Sequence, residues 1–358
     1  MNRRTFLTRG AGAALGLSAG SMIWRTLAQE QNPSAGMIDR NTQQAIDGSL
    51  RWLADRQRND GAFGTGQYQG NVAVTALAGL AFMSAGNQPG RGRYGEHVTN
   101  AVRYLVRCEE GQNGFITRGG LHGPMYGHGF ATLFLAEVYG MVNDTELRDR
   151  LRATLGRAVR LIITAQNQEG GWRYSPQPRD ADLSVTICQI NALRAARNAG
   201  IAVPKSVADR CTNYVKACQD DRTGGFRYQA RGFGGAGFAR TAAGVVALYS
   251  AGIYEDQSVK RGLEYLKQFQ PGPNRPGGLL NAEAQMHYYY GHYYAVQAMW
   301  IAGGNYWREW FPAIRNELLT LRRPDGSWQQ GFMCPHYCTA MALIILQVPN
   351  NYLPILQR

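Results

Sequence analysis

Three groups of residues carry side chains and spacings suited to chemistry. In Arg179-Asp180-Ala181-Asp182-Leu183-Ser184, two carboxyls stand two residues apart just ahead of an apolar run. Paired acids shift one another's proton affinity, so that one can remain neutral and serve as a general acid. The same residue types also cap helices, and for Asn71 and Ser184 capping is the expected role. The second group is His287-Tyr288-Tyr289-Tyr290-Gly291-His292-Tyr293-Tyr294, the densest aromatic stretch in the chain. Aromatic faces hold greasy ligands and steady cations, and they also pack bunched helices. The third is Cys334-Pro335-His336-Tyr337-Cys338. His287, His292, His336 and Cys338 are of metal-ligating type, yet no cysteine pair has CxxC spacing, so structural histidines and a buried thiol are expected, with no metal and no cofactor.

The elements that must position these groups repeat along the chain. Gln57-Arg-Asn-Asp-Gly61-Ala-Phe63 returns as Gln166-Asn-Gln-Glu-Gly170-Gly-Trp172, and with one extra residue as Gln219 through Gly224-Gly225-Phe226. Arg322-Arg-Pro-Asp-Gly326-Ser-Trp328 keeps the spacing without the Gln, and weaker copies end at Phe115 and at Leu279. Successive end points lie 52, 57, 54, 53 and 49 residues apart, a period that signals stacked supersecondary units. Before each phrase runs an amphipathic helical pattern, as in Gln44 to Arg56, Val98 to Arg107, Leu151 to Thr164 and Val207 to Ala217. After it comes a more apolar helix, beginning near Thr75, Thr132, Thr186, Thr241, His292 and Thr339. The apolar member of each pair needs enclosure and the amphipathic member keeps one wet face, which predicts an all-α protein of six helix pairs in two concentric rings. In the phrase itself, Gly allows the tight turn, the aromatic plugs the gap between pairs, and the Gln amide reaches helix-end groups.

On this repeat, over about residues 43 to 350, the chain resembles the terpenoid cyclases and the β-subunits of protein prenyltransferases, squalene–hopene-type cyclases included. The resemblance implies an (α/α)6 toroid with a central cavity. If the inner helices start at one mouth, the residues three or four before each aligned Thr gather there: Asn71, His128, Asp182, Tyr288, Tyr289 and His336, with His292 in the Thr slot itself. Asp180-Ala181-Asp182-Leu183 stands where the class II cyclases of this family carry their acidic DxDD motif. By that likeness Asp182 would be the protonating acid and Asp180 its partner, although Leu183 replaces the last acid. His292 joins them as a candidate catalytic residue, and His128, Tyr288, Tyr289, Tyr293 and His336 as candidate ligand contacts. The His336 phrase also resembles the zinc region of protein prenyltransferases, whose Asp-x-Cys half has no counterpart here.

Met1 to Ala28 resembles a twin-arginine signal: Arg3-Arg4 precede Phe6-Leu7, then comes a Gly- and Ala-rich run. It is expected to direct export of the folded protein beyond the cytoplasm. Residues 29–42 read as a linker and 351–358 as a C-terminal tail. The formal charge is +13, carried by scattered arginines with no basic run of five, so a solvated surface is expected and no nucleic-acid partner. Composition leaves oligomeric state open. The functional expectation is binding or transformation of a hydrophobic isoprenoid-like molecule in the cavity, with a peripheral membrane contact compatible with such a ligand. If it is an enzyme, the likeness implies a lyase, isomerase or transferase. Two other classes stay open: a non-catalytic scaffold toroid, and an extracellular polysaccharide lyase or hydrolase.

Overall fold

Two helices illustrate the sorting that builds the molecule. Of the thirteen residues of Val72–Ser84, twelve are buried; of the thirteen of Lys205–Ala217, only Val207, Cys211, Tyr214 and Val215 are. The first must be enclosed on all sides and the second can border water. The computed structural model of the chain describes residues 34, 36–118, 123–232, 234–272, 285 and 287–357.

Within them the two helix kinds alternate. The outer helices are α1 (Arg40–Ala54), α3 (Gly95–Arg107), α5 (Thr145–Thr164), α7 (Lys205–Ala217), α9 (Gln257–Lys267) and α11 (Gly304–Leu321). The inner ones are α2 (Val72–Ser84), α4 (Pro124–Val138), α6 (Leu183–Asn198), α8 (Phe238–Ser250), α10 (Tyr288–Ala302) and α12 (Pro335–Gln347). Each inner helix packs on the next, and α12 packs back on α2, so the ring closes. Gln347 Nε2 donates to the Ala81 carbonyl at 3.1 Å and Asn350 Nδ2 to that of Ser84 at 2.9 Å, fastening the last inner helix to the first. The chain is an α/α toroid, as its repeat predicts. Helix α1 begins at Arg40, where the Asp39 carboxylate accepts from the Thr42 amide at 2.7 Å, so its first turn lies within the segment read as linker.

The repeated phrase works as a clamp between neighbouring pairs. Gln57 Nε2 donates to the carbonyls of Gly61 and His97, Gln166 Nε2 to Gly170 and Val207, and Gln219 Nε2 to Gly224 and Ser258. Each Gln therefore ties its own turn to the first turn of the following outer helix, whose carbonyl it takes rather than a free helix end. Gly61 and Gly170 sit at φ +89° and +96°, and a Cβ on either would lie 2.3 Å from the carbonyl oxygen of Asn100 or Arg210 on that next helix. Only glycine meets both demands. Phe63, Trp172, Phe226 and Trp328 are fully buried as the plugs. In the second repeat the plug is Ile116, not Phe115: Ile116 is wholly buried, and Thr117 N donates to the Cys108 carbonyl just as Arg227 N does to Cys218. The fifth phrase lies outside the described residues.

At the end of the ring where the inner helices finish, Leu353, Ile355 and Leu356 are buried in the shared core. Trp300 Nε1 donates to the Leu356 carbonyl at 2.8 Å, and the buried Glu137 carboxyl accepts from the Ile355 amide at 3.2 Å. Burial pushes the Glu137 carboxyl up to about 7. All six cysteines are free and buried. Among the described residues no helix is long and apolar enough to cross a membrane.

Candidate functional site

One hydrogen bond recurs at the top of the inner helices and fixes which faces look inward. The amides of Phe63, Trp172, Phe226 and Trp328 donate to the hydroxyls of Thr75, Thr186, Thr241 and Thr339 at 2.9 to 3.1 Å. In the second repeat the amide of Ile116 donates to His128 Nδ1 at 3.2 Å. His128, and not Thr132, therefore holds the slot in that repeat, and His292 takes the matching place in α10. The slot faces outward, toward the phrase. Since an α-helix turns about 100° per residue, a residue two before the slot points the opposite way, toward the ring axis.

Those six residues, Ala73, Tyr126, Ser184, Ala239, Tyr290 and Tyr337, all line one cavity of about 640 Å³ at the mouth where the inner helices begin. Tyr174 and Tyr228, each two residues beyond a buried plug, extend the wall, as does Arg118 at the matching place in the second repeat. Phe130, one turn below Tyr126, lines it from beneath and meets Tyr293 of the opposite inner helix at a ring separation of 6.1 Å. Below that level Leu77, Cys188, Ala243, Tyr294 and Met341 are buried, so the bore is filled and the cavity is a cup. Its wall is largely aromatic and aliphatic, with Arg118, Arg240 and His287 among its polar members and no carboxylate among the described lining residues.

Asp182 lies directly behind this wall. It caps α6: Oδ1 accepts from the Val185 amide at 2.9 Å and from Ser184 Oγ at 2.6 Å. Oδ2 faces Arg173 Nη1 at 3.8 Å, and the same nitrogen stands 3.4 Å from the exposed Asp180. The Asp182 side chain is fully enclosed, and burial raises its proton affinity above the ordinary carboxylate range, against the lowering influence of Ser184, Val185 and Arg173. Ser184 Oγ is in turn 2.5 Å from the Tyr126 hydroxyl, and the Tyr290 hydroxyl donates to the Ser184 carbonyl at 2.7 Å. The Tyr174 and Tyr228 hydroxyls meet at 2.5 Å, with the Arg173 guanidinium over both rings. A hidden carboxyl of raised proton affinity thus connects through one serine to a tyrosine on the cavity wall.

Asn71, expected at this mouth as a cap, and His287 line the cup, but none of the candidate catalytic or ligand-contact residues does, and for most of these the helical register gives the reason. Asp182, Tyr288 and Tyr289 stand three or four before their slots and so share the slot's outward side. Tyr288 donates to Glu317 on the outer helix α11 at 2.6 Å, and Tyr289 is buried. His336 packs at a tilt of 51° against Trp52 with ring centres 5.2 Å apart, and burial lowers it to about 4. His128 and His292 fill slots, where burial lowers them to about 4 and about 3; His292 is ringed by Tyr288, Phe238 and Trp310. Tyr293 lies deeper, and Asp180 is at the surface. Asp182 keeps a hydrogen-bonded route to the cavity through Ser184. The wall tyrosines Tyr126, Tyr174, Tyr228, Tyr290 and Tyr337 are not among the candidate ligand contacts, although Tyr290 and Tyr337 stand in the segments singled out for chemistry, and counting two back from a slot that includes His128 finds three of the five.

Comparison with known proteins agrees with this architecture. Type II terpene cyclase MstE from Scytonema, solved with geranylgeranyl dihydroxybenzoate as substrate, is similar with a TM-score of 0.58 at 14% identity, covering 88% of this chain and 98% of that one. An alpha-1,6-mannanase from Salegentibacter has a TM-score of 0.61 at 10% identity, covering 86% and 98%. Cellobiose 2-epimerase from Bacillus thermoamylovorans has 0.61 at 13%, with the same coverage. At such identities the likeness is one of fold. No curated protein matches the chain. The Prenyltransferase alpha-alpha toroid domain matches residues 32–123, 126–270 and 202–348, and with its closed ring of six helix pairs the chain belongs to that family.

Proposed function

We propose that the protein takes a hydrophobic, isoprenoid-like molecule into the cup and transforms it by acid catalysis, with Asp182 as the store of the proton. The observation that carries this reading is the pairing of a tyrosine-walled cup with a fully buried carboxyl, hydrogen-bonded to Ser184 of the wall, whose proton affinity burial raises. A volume of about 640 Å³ falls within the range of roughly 300–1,000 Å³ usual for small-molecule sites. Tyrosine faces suit an alkene chain and any cation formed on it. MstE, in the same fold, is a terpene cyclase, which supports the reading by analogy. Glycan hydrolysis fits less well: it needs two carboxyls flanking the scissile bond, and Asp180 and Asp182 share one arginine off the cavity. The Arg3-Arg4 segment, outside the described residues, supports a site of action beyond the cytoplasm.

The test is native mass spectrometry with geranylgeraniol, followed by incubation in D2O. One probe per chain is expected, with deuterium entering it. Ala239→Trp, which fills the cup, should weaken capture at least tenfold, and Asp182→Asn should retain the probe without labelling it. An unoccupied wild-type protein would sink the proposal in favour of a scaffold.

A further inference from the structure

Acid catalysis in the cup requires a path for the proton, because Asp182 is sealed from it. Ser184 Oγ donates its one hydrogen to Asp182 Oδ1. In the 2.5 Å contact between Tyr126 and Ser184 the tyrosine is therefore the donor. With the carboxyl charged, the chain runs Tyr126 to Ser184 to Asp182 and turns a tyrosine oxygen lone pair toward the cup. With the carboxyl protonated, each bond can reverse, and Tyr126 then presents its O–H to the cup. Both hydroxyl residues line the cavity.

We propose that Ser184 and Tyr126 form a two-hydroxyl relay through which Asp182 exchanges a proton with the molecule in the cup, a proposal that rests on the acid-catalysis reading of the same site. In the forward step the Asp182 proton passes to Ser184 Oγ, the Ser184 proton to Tyr126 Oη, and the Tyr126 proton to an alkene carbon. A C–H bond forms from the π pair, and the carbocation is balanced by the Asp182 carboxylate. Loss of a proton from a neighbouring carbon to Tyr126 Oη restores an alkene and, through the chain in reverse, the neutral acid. Nothing else is consumed.

The other hydroxyl pair near Asp182 is placed for a different task. Tyr174 and Tyr228 lie under the Arg173 guanidinium, which faces Oδ2, so that side holds the carboxylate charge once formed. Arg173 and Asp180 are the charged groups beside Asp182. Burial keeps the other titratable neighbours, Tyr126, Tyr228, Tyr290 and Cys188, neutral. Ser184 acts as a positioning residue, and Tyr126 is the group that touches the ligand.

The relay is tested on the full chain by infrared titration with 13C-labelled aspartate, the Asp182 carboxyl band being the one missing in Asp182→Asn. Tyr126→Phe, which keeps the ring packing, is expected to shift that band and move its titration midpoint upward. Ser184→Ala should move it further, and Ser184→Thr should restore it. In D2O with geranylgeraniol, Tyr126→Phe should lose labelling at least tenfold at unchanged probe occupancy. A band and midpoint indifferent to both Tyr126→Phe and Ser184→Ala would overturn the relay. A responsive band with no deuterium entering the probe in wild type would instead overturn the acid-catalysis reading and leave the hydroxyl chain standing.

Discussion

The amide of Ile116 donates to Nδ1 of His128 at 3.2 Å, where four other repeats set a threonine hydroxyl under the same backbone donor. A neutral imidazole accepts this bond as well as a hydroxyl does, but only while it stays neutral. Its folded-state value, about 4, lies below the ordinary 6.5. The unfolded chain therefore takes up this proton first, and the stability involved is present above pH 6.5 and lost as pH falls toward 4. The expected loss is up to about 3 kcal/mol for this group. His128→Thr should be less stable at pH 8, by about 1–3 kcal/mol for the space left, yet its urea midpoint should fall less steeply between pH 7 and pH 5. Parallel slopes in the two proteins would refute this account.

Glu137 gives the opposite sign. Its folded value of about 7 exceeds the ordinary 4.5, so the native state holds the proton longer and stability falls as pH rises from 4.5 to 7, then levels off. Glu137→Gln keeps an oxygen for the Ile355 amide and removes the charge. Thermal melts at pH 8 should place the variant above wild type by as much as roughly 3 kcal/mol, with the gain vanishing near pH 4.5. A gain of the same size at both pH values would argue against the linkage.

Gln166 bridges its own turn at Gly170 and the next outer helix at Val207. Gln166→Ala leaves both carbonyls without that donor and should cost about 1–3 kcal/mol in chemical denaturation. Hydrogen exchange is expected to quicken in the first turn of Lys205–Ala217 before it does in α1. Uniform quickening would mean that the clamp does not act locally.

Asp182→Asn preserves an oxygen that can accept from the Val185 amide. The variant should unfold within about 1–2 kcal/mol of wild type while losing the deuterium labelling of geranylgeraniol expected of the proposed acid. Denaturant midpoints and product assays on the same preparation check both halves. A collapse in stability with no specific functional loss would make the residue a cap alone.

How far the sequence reveals this molecule depends on which contacts are periodic. Gln57, Gly61 and Phe63, recurring as Gln166, Gly170 and Trp172, mark turns that every repeat must make, and they announce the toroid. The helix starts at Thr75, Thr186, Thr241 and Thr339 are legible for the same reason. The second repeat breaks the pattern because a histidine can replace a threonine as acceptor, and an isoleucine an aromatic as plug. Aligning Thr132 in the slot sets His128 at the mouth, whereas His128 itself fills the slot. The cup itself hides for a further reason: Ala73, Tyr126, Ser184, Ala239, Tyr290 and Tyr337 share no chemical type, only a phase along the helix. Asp182 is visible as an acid before an inner helix. Its enclosure, and its dependence on Ser184 and Tyr126, arise from packing among α4, α6 and the strand-like turn after Trp172.

The fastening of Gln347 to Ala81 and of Asn350 to Ser84 changes how the repeats share their fate. In an open solenoid the terminal units fray first, and neighbours can be lost one at a time. Here no repeat is terminal, because each has a neighbour on both sides. Melting one helix pair breaks two interfaces at once, so unfolding should proceed as a single event. By the same token the ring has no privileged starting point. A permuted chain, opened at the exposed turn between Ala199 and Pro204 and joined across the first and last repeats, should rebuild the same cup.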